Sequence, residues 1–118
     1  MAGIARLTRG GVYLARLDPA KGAEVDKLRP VAVLIGQFLL DMRPPHVFVC
    51  PLSGRSDPDY QALHLSLPAR DSLKVQSYAL VEHCRAISIR RLQSDRLTKL
   101  EIDELNEIIR RLHRLLGW

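Results

Sequence analysis

The pattern of hydrophobic and polar residues predicts several short strands over the first ninety residues of the chain. Apolar runs of strand length occupy residues 12–17, 31–35 and 47–52, and proline, glycine or other turn-forming residues bound them. Residues 62–67 alternate strictly, with a leucine at every second position, which is typical of a half-buried antiparallel strand. Residues 78–81 and 86–89 predict two more short strands or one bent strand.

The C-terminal segment has a helical period instead. Apolar residues recur at helical spacing between positions 105 and 116, with charged residues between them. Residues 98–101, TKLE, match a capping box that would start this helix, and Gly117 would end it. We therefore expect one domain, residues 1–118, of the α+β class and mainly β: a small, partly open antiparallel barrel with a C-terminal α-helix.

The connection between the first two predicted strands, residues 18–29, is longer than an ordinary hairpin loop. Long loops on a rigid scaffold often carry function. Arg29 stands where the second strand is predicted to begin, and Pro30 biases it toward an extended backbone. A guanidinium held at a strand edge beneath a polar loop suits a phosphate ligand. Further connections are predicted at residues 38–46, 53–59 and 68–76.

Composition narrows the classes of partner. The net charge of +5 and a pI near 9.7 favour a polyanion, either nucleic acid or an acidic protein segment. Aromatic residues make up only 5% of the chain, which argues against a broad base-stacking platform. No apolar run approaches the ~18 residues that a membrane span needs, and no signal-peptide pattern is evident, so we expect a cytoplasmic protein.

Neither a metal nor a cofactor is predicted. The two cysteines, Cys50 and Cys84, are too few and too far apart in sequence for a disulfide framework or a zinc site. The four histidines show no ligand spacing, and the chain has no glycine-rich phosphate-binding loop that opens a helix.

The pattern RGxxxxxxLDPxxGxExxxxRP, which runs from Arg9 to Pro30, resembles the MazF/PemK (Kid) toxins of bacterial toxin–antitoxin systems. The resemblance is strongest over residues 9–35 and moderate over residues 77–92 and the final helix. It implies an SH3-like barrel, a homodimer, endoribonuclease activity and a cognate MazE-like antitoxin. The antitoxin's acidic, partly hydrophobic disordered tail would occupy a basic groove.

The resemblance also implies catalytic roles for three residues. Arg29 would hold the scissile phosphate and offset its developing charge. Ser53 stands where the family usually has a threonine, so a hydroxyl is retained but the methyl that restrains χ1 is lost. Glu24, in the G-x-E part of the pattern, would either accept the 2′-OH proton or order the loop.

Six further side chains are candidates for RNA contacts: Lys27, Arg55, Arg70, Lys74, His83 and Arg85. Ordinary solvated charge is the alternative for the loop residues among them. His83, where the family more often has glutamine, would be a structural, RNA-contacting or catalytic histidine. Arg85 would contact phosphate or pack in a dimer.

The resemblance, with these residues, implies a metal-independent endoribonuclease toxin that cleaves single-stranded RNA, expected to be messenger RNA, at a short sequence motif. The expected products carry 2′,3′-cyclic phosphate and 5′-hydroxyl ends. Two alternatives remain open. One is a gyrase-inhibiting toxin of the CcdB type, which acts by protein binding, and Trp118 would suit it as an anchor. The other is a degenerate family member that binds RNA without cleaving it.

Overall fold

The computed structural model describes residues 6–17 and 28–118, and within them seven strands form one antiparallel sheet in the order β4-β5-β3-β2-β1-β7, with β6 also paired to β3. The strands are β1 (Gly11–Arg16), β2 (Leu28–Val33), β3 (His46–Ser53), β4 (His64–Leu67), β5 (Ser77–Leu80), β6 (Arg85–Ser88) and β7 (Thr98–Lys99). The helices are α1 (Gln37–Asp41) and α2 (Ile102–Leu115). The predicted class, mainly β with a C-terminal helix, is confirmed.

Strand β3 is the centre of the sheet because it has three partners. Its edge toward β2 pairs Val49–Pro51 with the second half of that strand. On the opposite edge its first half pairs with β6, and its last two residues pair with β5. The sheet therefore forks beside Cys50 and Pro51 into one branch with β6 and another with β5 and β4.

Both faces of the sheet are buried at its middle. One face, which we call the α2 face, packs Ala32, Cys50 and Leu52 against α2 through Leu105 and Ile108. The other, which we call the α1 face, carries the alternate strand residues, and Leu40 of α1 packs onto it. Its members include Tyr13, Val31, Val33, Val47, Val49 and Ile87. Because strand side chains alternate between faces, the odd-numbered residues of β2 and β3 share the α1 face.

Two predictions of secondary structure were wrong in detail. Residues 38–46 are not only a connection, since they include most of α1. The helix stops just before Arg43, which has a φ of 53°, because the following prolines exclude a helical continuation. The strand predicted at 31–35 starts earlier, at Leu28, so Arg29 lies inside β2 rather than at its start.

The capping box predicted at residues 98–101 was also wrong. Thr98 belongs to β7 and pairs with Val12, and its hydroxyl donates to the Asp71 carboxylate at 2.7 Å. The helix begins three residues later, where the Glu101 backbone N–H donates to the Glu104 side chain at 2.8 Å. Gly117 ends the helix as predicted, with a φ of 88° that suits glycine.

No helix in the described part of the chain is long and apolar enough to cross a membrane.

Candidate functional site

Arg29 and Ser53 lie on the same face of the sheet. The pairing of β2 with β3 ends at Val31 and Pro51, and Arg29 and Ser53 each lie two residues beyond that pair. Because strand side chains alternate between faces, both residues project to the face that carries Val31. The guanidinium and the hydroxyl therefore share one end of the α1 face, where the packed valines give way to solvent.

The Arg29 side chain is available to a ligand. It is exposed, and within residues 6–17 and 28–118 no hydrogen bond or ion pair engages its guanidinium. Its backbone is fixed, because Arg29 pairs with Ala15 of β1. An exposed guanidinium on a paired strand presents a charged, bidentate hydrogen-bond donor with little backbone freedom.

Ser53 is the last residue of β3, and its hydroxyl shapes the turn that follows. Its Oγ accepts a hydrogen bond from the Arg55 backbone N–H at 3.1 Å. The hydroxyl proton is not used by that bond and can be donated to a ligand oxygen. On the other edge of β3, Tyr78 pairs with Ser53 and so stands on the same face. Tyr78 is half-buried and was not a predicted site residue, since a lone tyrosine in a strand gives no such signal.

Two predicted RNA contacts also lie near this end of the sheet or along its face. Arg55 is exposed in the turn after Ser53. Arg85 starts β6 opposite Val49, so it belongs to the α1 face. Ser53 is four positions after Val49, and a strand rises about 3.3 Å per residue, so the two lie about 13 Å apart along β3. A basic surface therefore extends from Arg29 along the fork of the sheet.

The remaining candidates are not brought to this place. The Arg70 guanidinium donates two hydrogen bonds to the Glu104 carboxylate at 2.6 and 2.5 Å, and this pair raises the pKa of Arg70 and lowers that of Glu104. Lys74 is exposed in the connection between β4 and β5. His83 is exposed, with its Nε2 at 3.7 Å from a carboxylate oxygen of Glu82. Glu24 and Lys27 lie outside the described residues.

Comparison with known proteins identifies the family. The profile of the "PemK-like, MazF-like toxin of type II toxin-antitoxin system" family matches residues 8–116. The chain belongs to this family. It is 31% identical to Endoribonuclease MazF from Staphylococcus saprophyticus over 103 residues, which are 86% of this chain and 84% of that protein. The resemblance predicted from residues 9–30 is thus confirmed, and with it the assignment to a family of endoribonuclease toxins.

Solved structures of PemK/MazF toxins have the same fold. MazF from Deinococcus radiodurans (form I) has a TM-score of 0.77 and 25% identity, with 96% of this chain and 98% of that chain covered. The MazE–MazF complex from the same organism (form II) has a TM-score of 0.75 and 26% identity, with 92% and 94% covered. The curled sheet and C-terminal helix are therefore the toxin fold.

The burial of His64 in this PemK/MazF-family chain was not predicted from the sequence. His64 alternates with leucines and was expected on the polar face of its strand, yet its side chain is only 3% exposed. Its Nδ1 lies 2.9 Å from the Ser56 hydroxyl, and its Nε2 lies 2.7 Å from Glu82 Oε2. Partners this far apart in sequence leave no local signal.

The described residues contain no group of three or more histidine, cysteine, aspartate or glutamate side chains placed to hold a metal ion. Cys50 and Cys84 are both free thiols. A hydrogen bond with Cys84, together with burial, raises the pKa of the Cys50 thiol well above its ordinary value.

Proposed function

We propose that this toxin is a metal-independent endoribonuclease that cleaves single-stranded RNA, with messenger RNA as its substrate. The observation that supports the proposal is that Arg29 and Ser53 lie on the α1 face at the same end of the β2–β3 pairing, each two residues beyond its last pair. Cleavage of RNA needs a group that stabilises the crowded, doubly charged phosphorane, and a guanidinium beside a hydroxyl supplies charge and hydrogen bonds to it.

The reaction follows from the chemistry of the sugar. The 2′-OH loses its proton and attacks the adjacent phosphorus, the bond to the 5′-oxygen breaks, and that oxygen takes a proton from water. The products carry a 2′,3′-cyclic phosphate and a 5′-hydroxyl. Arg29 holds the non-bridging oxygens and offsets their growing charge, while the Ser53 hydroxyl donates to one of them. We assign acceptance of the 2′-OH proton to Glu24, on the family resemblance alone.

The partners of the toxin follow from the same surface. Similar structures include MazE–MazF complexes from Deinococcus radiodurans. We infer that a cognate MazE-like antitoxin covers the basic surface near Arg29, since an acidic disordered segment competes with RNA for the same cations. We further propose a homodimer in the cytoplasm, because the end of α2 leaves Leu115 and Leu116 exposed, and a dimer interface would cover them.

The CcdB-type alternative rests on Trp118, whose side chain is 89% exposed. A gyrase inhibitor that works by protein binding needs an anchor of this kind, but it does not need a guanidinium and a hydroxyl on one face for a phosphate ligand. Kinship with an endoribonuclease favours the nuclease.

The decisive experiment incubates the purified toxin with a long unstructured RNA in EDTA. Arg29→Ala is compared with the wild type and with Arg114→Ala, which removes one positive charge from an exposed position on α2. We expect discrete fragments from the wild type and Arg114→Ala, and a rate at least about 10²-fold lower for Arg29→Ala. Fragment 3′ ends that lose their phosphate to alkaline phosphatase only after acid has opened the ring would identify the cyclic phosphate.

Ser53 is tested in the same assay. We expect Ser53→Ala to slow cleavage about tenfold, and Ser53→Thr to cleave at least as fast as the wild type because the added methyl restrains χ1. Ser88→Ala is the matched control. The Ser88 hydroxyl also accepts from the backbone N–H two residues later, that of Arg90, and Ser88 pairs with His46 at the other end of β3. Intact RNA in every lane would overturn the nuclease proposal and make gyrase inhibition the next assay.

A further inference from the structure

A buried polar network lies beside the turn that follows Ser53. The Ser56 hydroxyl is 2.9 Å from Nδ1 of His64, and Nε2 of that ring is 2.7 Å from Glu82 Oε2. The His64 and Glu82 side chains are 3% and 17% exposed. Buried polar groups are almost always hydrogen-bonded, because an unpaired one costs its full desolvation energy. The three side chains therefore depend on one another for their placement.

The chemistry of the ring makes this network stable in either protonation state. A carboxylate only accepts hydrogen bonds, so Nε2 of His64 carries a proton and donates it to Glu82. In the neutral ring Nδ1 then accepts from the Ser56 hydroxyl, and in the charged ring it donates to the same oxygen. Both contacts persist in both states, which suits a role in holding geometry.

Several elements hold His64 itself in place. It pairs with Leu80 across the β4–β5 hairpin, and the Arg111 guanidinium of α2 donates to its carbonyl oxygen at 2.6 Å. The Tyr60 ring stacks on the imidazole with centroids 6.1 Å apart and planes 27° apart. The ring is thus a fixed point on the body of the domain.

The segment from Ser53 to Ser56 is much less supported. Ser53 is anchored by pairing with Tyr78, whereas Gly54 and Arg55 are exposed. The space around Gly54 is open, with no heavy atom within 4 Å of where a Cβ would be. The bond between Ser56 and His64 holds the far end of this short segment. Within the segment, the Arg55 backbone N–H donates to the Ser53 hydroxyl at 3.1 Å, which links the hydroxyl to the position of the turn.

We propose that Glu82, His64 and Ser56 form a positioning network that holds the turn after β3, and with it the Ser53 hydroxyl, against the Arg29 end of the α1 face. His64 and Ser56 act on the reaction through Ser53 and do not touch the phosphate. In serine hydrolases Nε2 of the histidine faces the nucleophile, whereas here Nδ1 faces the serine, and we assign no nucleophilic role to Ser56. The inference rests on the proposed ribonuclease function.

The test compares Ser56→Ala and Ser56→Thr in the RNA cleavage assay. Ser94→Ala is the matched control, because the Ser94 hydroxyl is also half-buried and hydrogen-bonded, accepting from Leu14 N–H at 2.9 Å on the β1 edge. We expect Ser56→Ala to lower kcat about tenfold with little change in KM, since a misplaced group loses transition-state contacts more than substrate binding. We expect Ser56→Thr to restore kcat to within about twofold, because the hydroxyl is restored.

A second measurement does not depend on RNA. In ¹⁵N NMR spectra of the imidazole nitrogens, Ser56→Ala should shift the Nδ1 resonance of His64, whereas Ser94→Ala should leave it unchanged. An unchanged Nδ1 resonance in Ser56→Ala would show that the contact does not exist in solution. Thermal unfolding of both variants identifies any loss of activity that comes from loss of fold.

The outcomes separate this inference from the proposed function. If Arg29→Ala is inactive and Ser56→Ala cleaves like Ser94→Ala, the positioning network is wrong and the ribonuclease stands. If Arg29→Ala cleaves like the wild type, the proposed site is wrong and the network loses its role with it. If Ser56→Thr is as slow as Ser56→Ala, the hydroxyl is not what holds the turn, which also overturns the inference.

Discussion

Replacing Arg70 with alanine should lower the stability of the toxin and leave its affinity for RNA nearly unchanged. The sequence alone made Arg70 a candidate RNA contact, but its guanidinium forms a bidentate pair with Glu104 at the start of α2. Its Nε also donates to the Pro68 carbonyl oxygen at 3.3 Å. The pair connects the segment after β4 to the helix, so its loss weakens the docking of α2.

The magnitude follows from the geometry. Each hydrogen bond to a charged partner contributes about 1.5–3 kcal/mol when shielded, but both side chains are 19% exposed and solvent screening reduces the benefit. We therefore expect a loss of about 2 kcal/mol for the whole pair. With 118 residues, the entropy of unfolding is about 0.25 kcal/mol/K, so Tm should fall by about 8 °C.

The assay is thermal unfolding at neutral pH, with Glu104→Ala and the double variant completing a mutant cycle. Lys74→Ala is the control, since Lys74 is exposed in the same connection and should change stability by less than about 0.5 kcal/mol. The bidentate hydrogen bonds from Arg70 hold the pKa of Glu104 below its ordinary value. The contribution is therefore complete above the ordinary carboxyl range and is lost as the pH falls through the lowered pKa. The difference between wild type and Arg70→Ala should shrink in acid.

One result would refute this reasoning. Suppose that Arg70→Ala and Lys74→Ala unfold at the same temperature, but that Arg70→Ala binds RNA more weakly than Lys74→Ala. Arg70 would then contact RNA directly. The pair with Glu104 would then contribute no stability.

Further expectations concern the core, the thiols and one turn. Ile108→Ala, at a fully buried position, should cost about 3 kcal/mol in urea unfolding, whereas Val75→Ala, in the exposed connection between β4 and β5, should cost less than about 0.5 kcal/mol. Iodoacetamide at pH 8 should modify the half-buried Cys84 well before Cys50, because a hydrogen bond with Cys84 and burial raise the pKa of the Cys50 thiol. Peptide mass spectrometry gives the order of modification, and equal rates would contradict the expectation. Gly10→Ala should destabilise by about 1–2 kcal/mol, because Gly10 has a φ of 84° that L residues adopt at a cost.

Much of the fold could be predicted because the spacing of hydrophobic residues along the sequence differs between strands and helices. Strict alternation gave the β4 strand and its antiparallel character, and the helical spacing of apolar residues gave α2. The start of α2 could not be read in the same way. Residues 98–101 match the capping pattern with a threonine, whereas residues 101–104 begin with a glutamate, so the sequence favours the earlier start. The pairing of β7 with β1 keeps Thr98 in a strand, and the helix is capped at Glu101 instead.

The candidate site could be predicted only in part. The family resemblance makes Arg29 and Ser53 candidates, but that they lie on one face follows only from the register between β2 and β3. Pairs such as Arg70–Glu104 and His64–Glu82 are 34 and 18 residues apart, and charge patterns along the sequence do not encode them. Burial of a histidine is likewise decided by the partners that surround it.

The register between β2 and β3 affects the core and the candidate site at the same time. Val47 and Val49 of β3 are buried on the α1 face, and Ser53, another odd-numbered residue of the strand, projects to the same face. A slip of one residue against β2 would turn the valines toward the wrong side and carry Ser53 away from Arg29 in the same movement. A misaligned molecule would therefore lose its core packing together with the arrangement of Arg29 and Ser53 on one face.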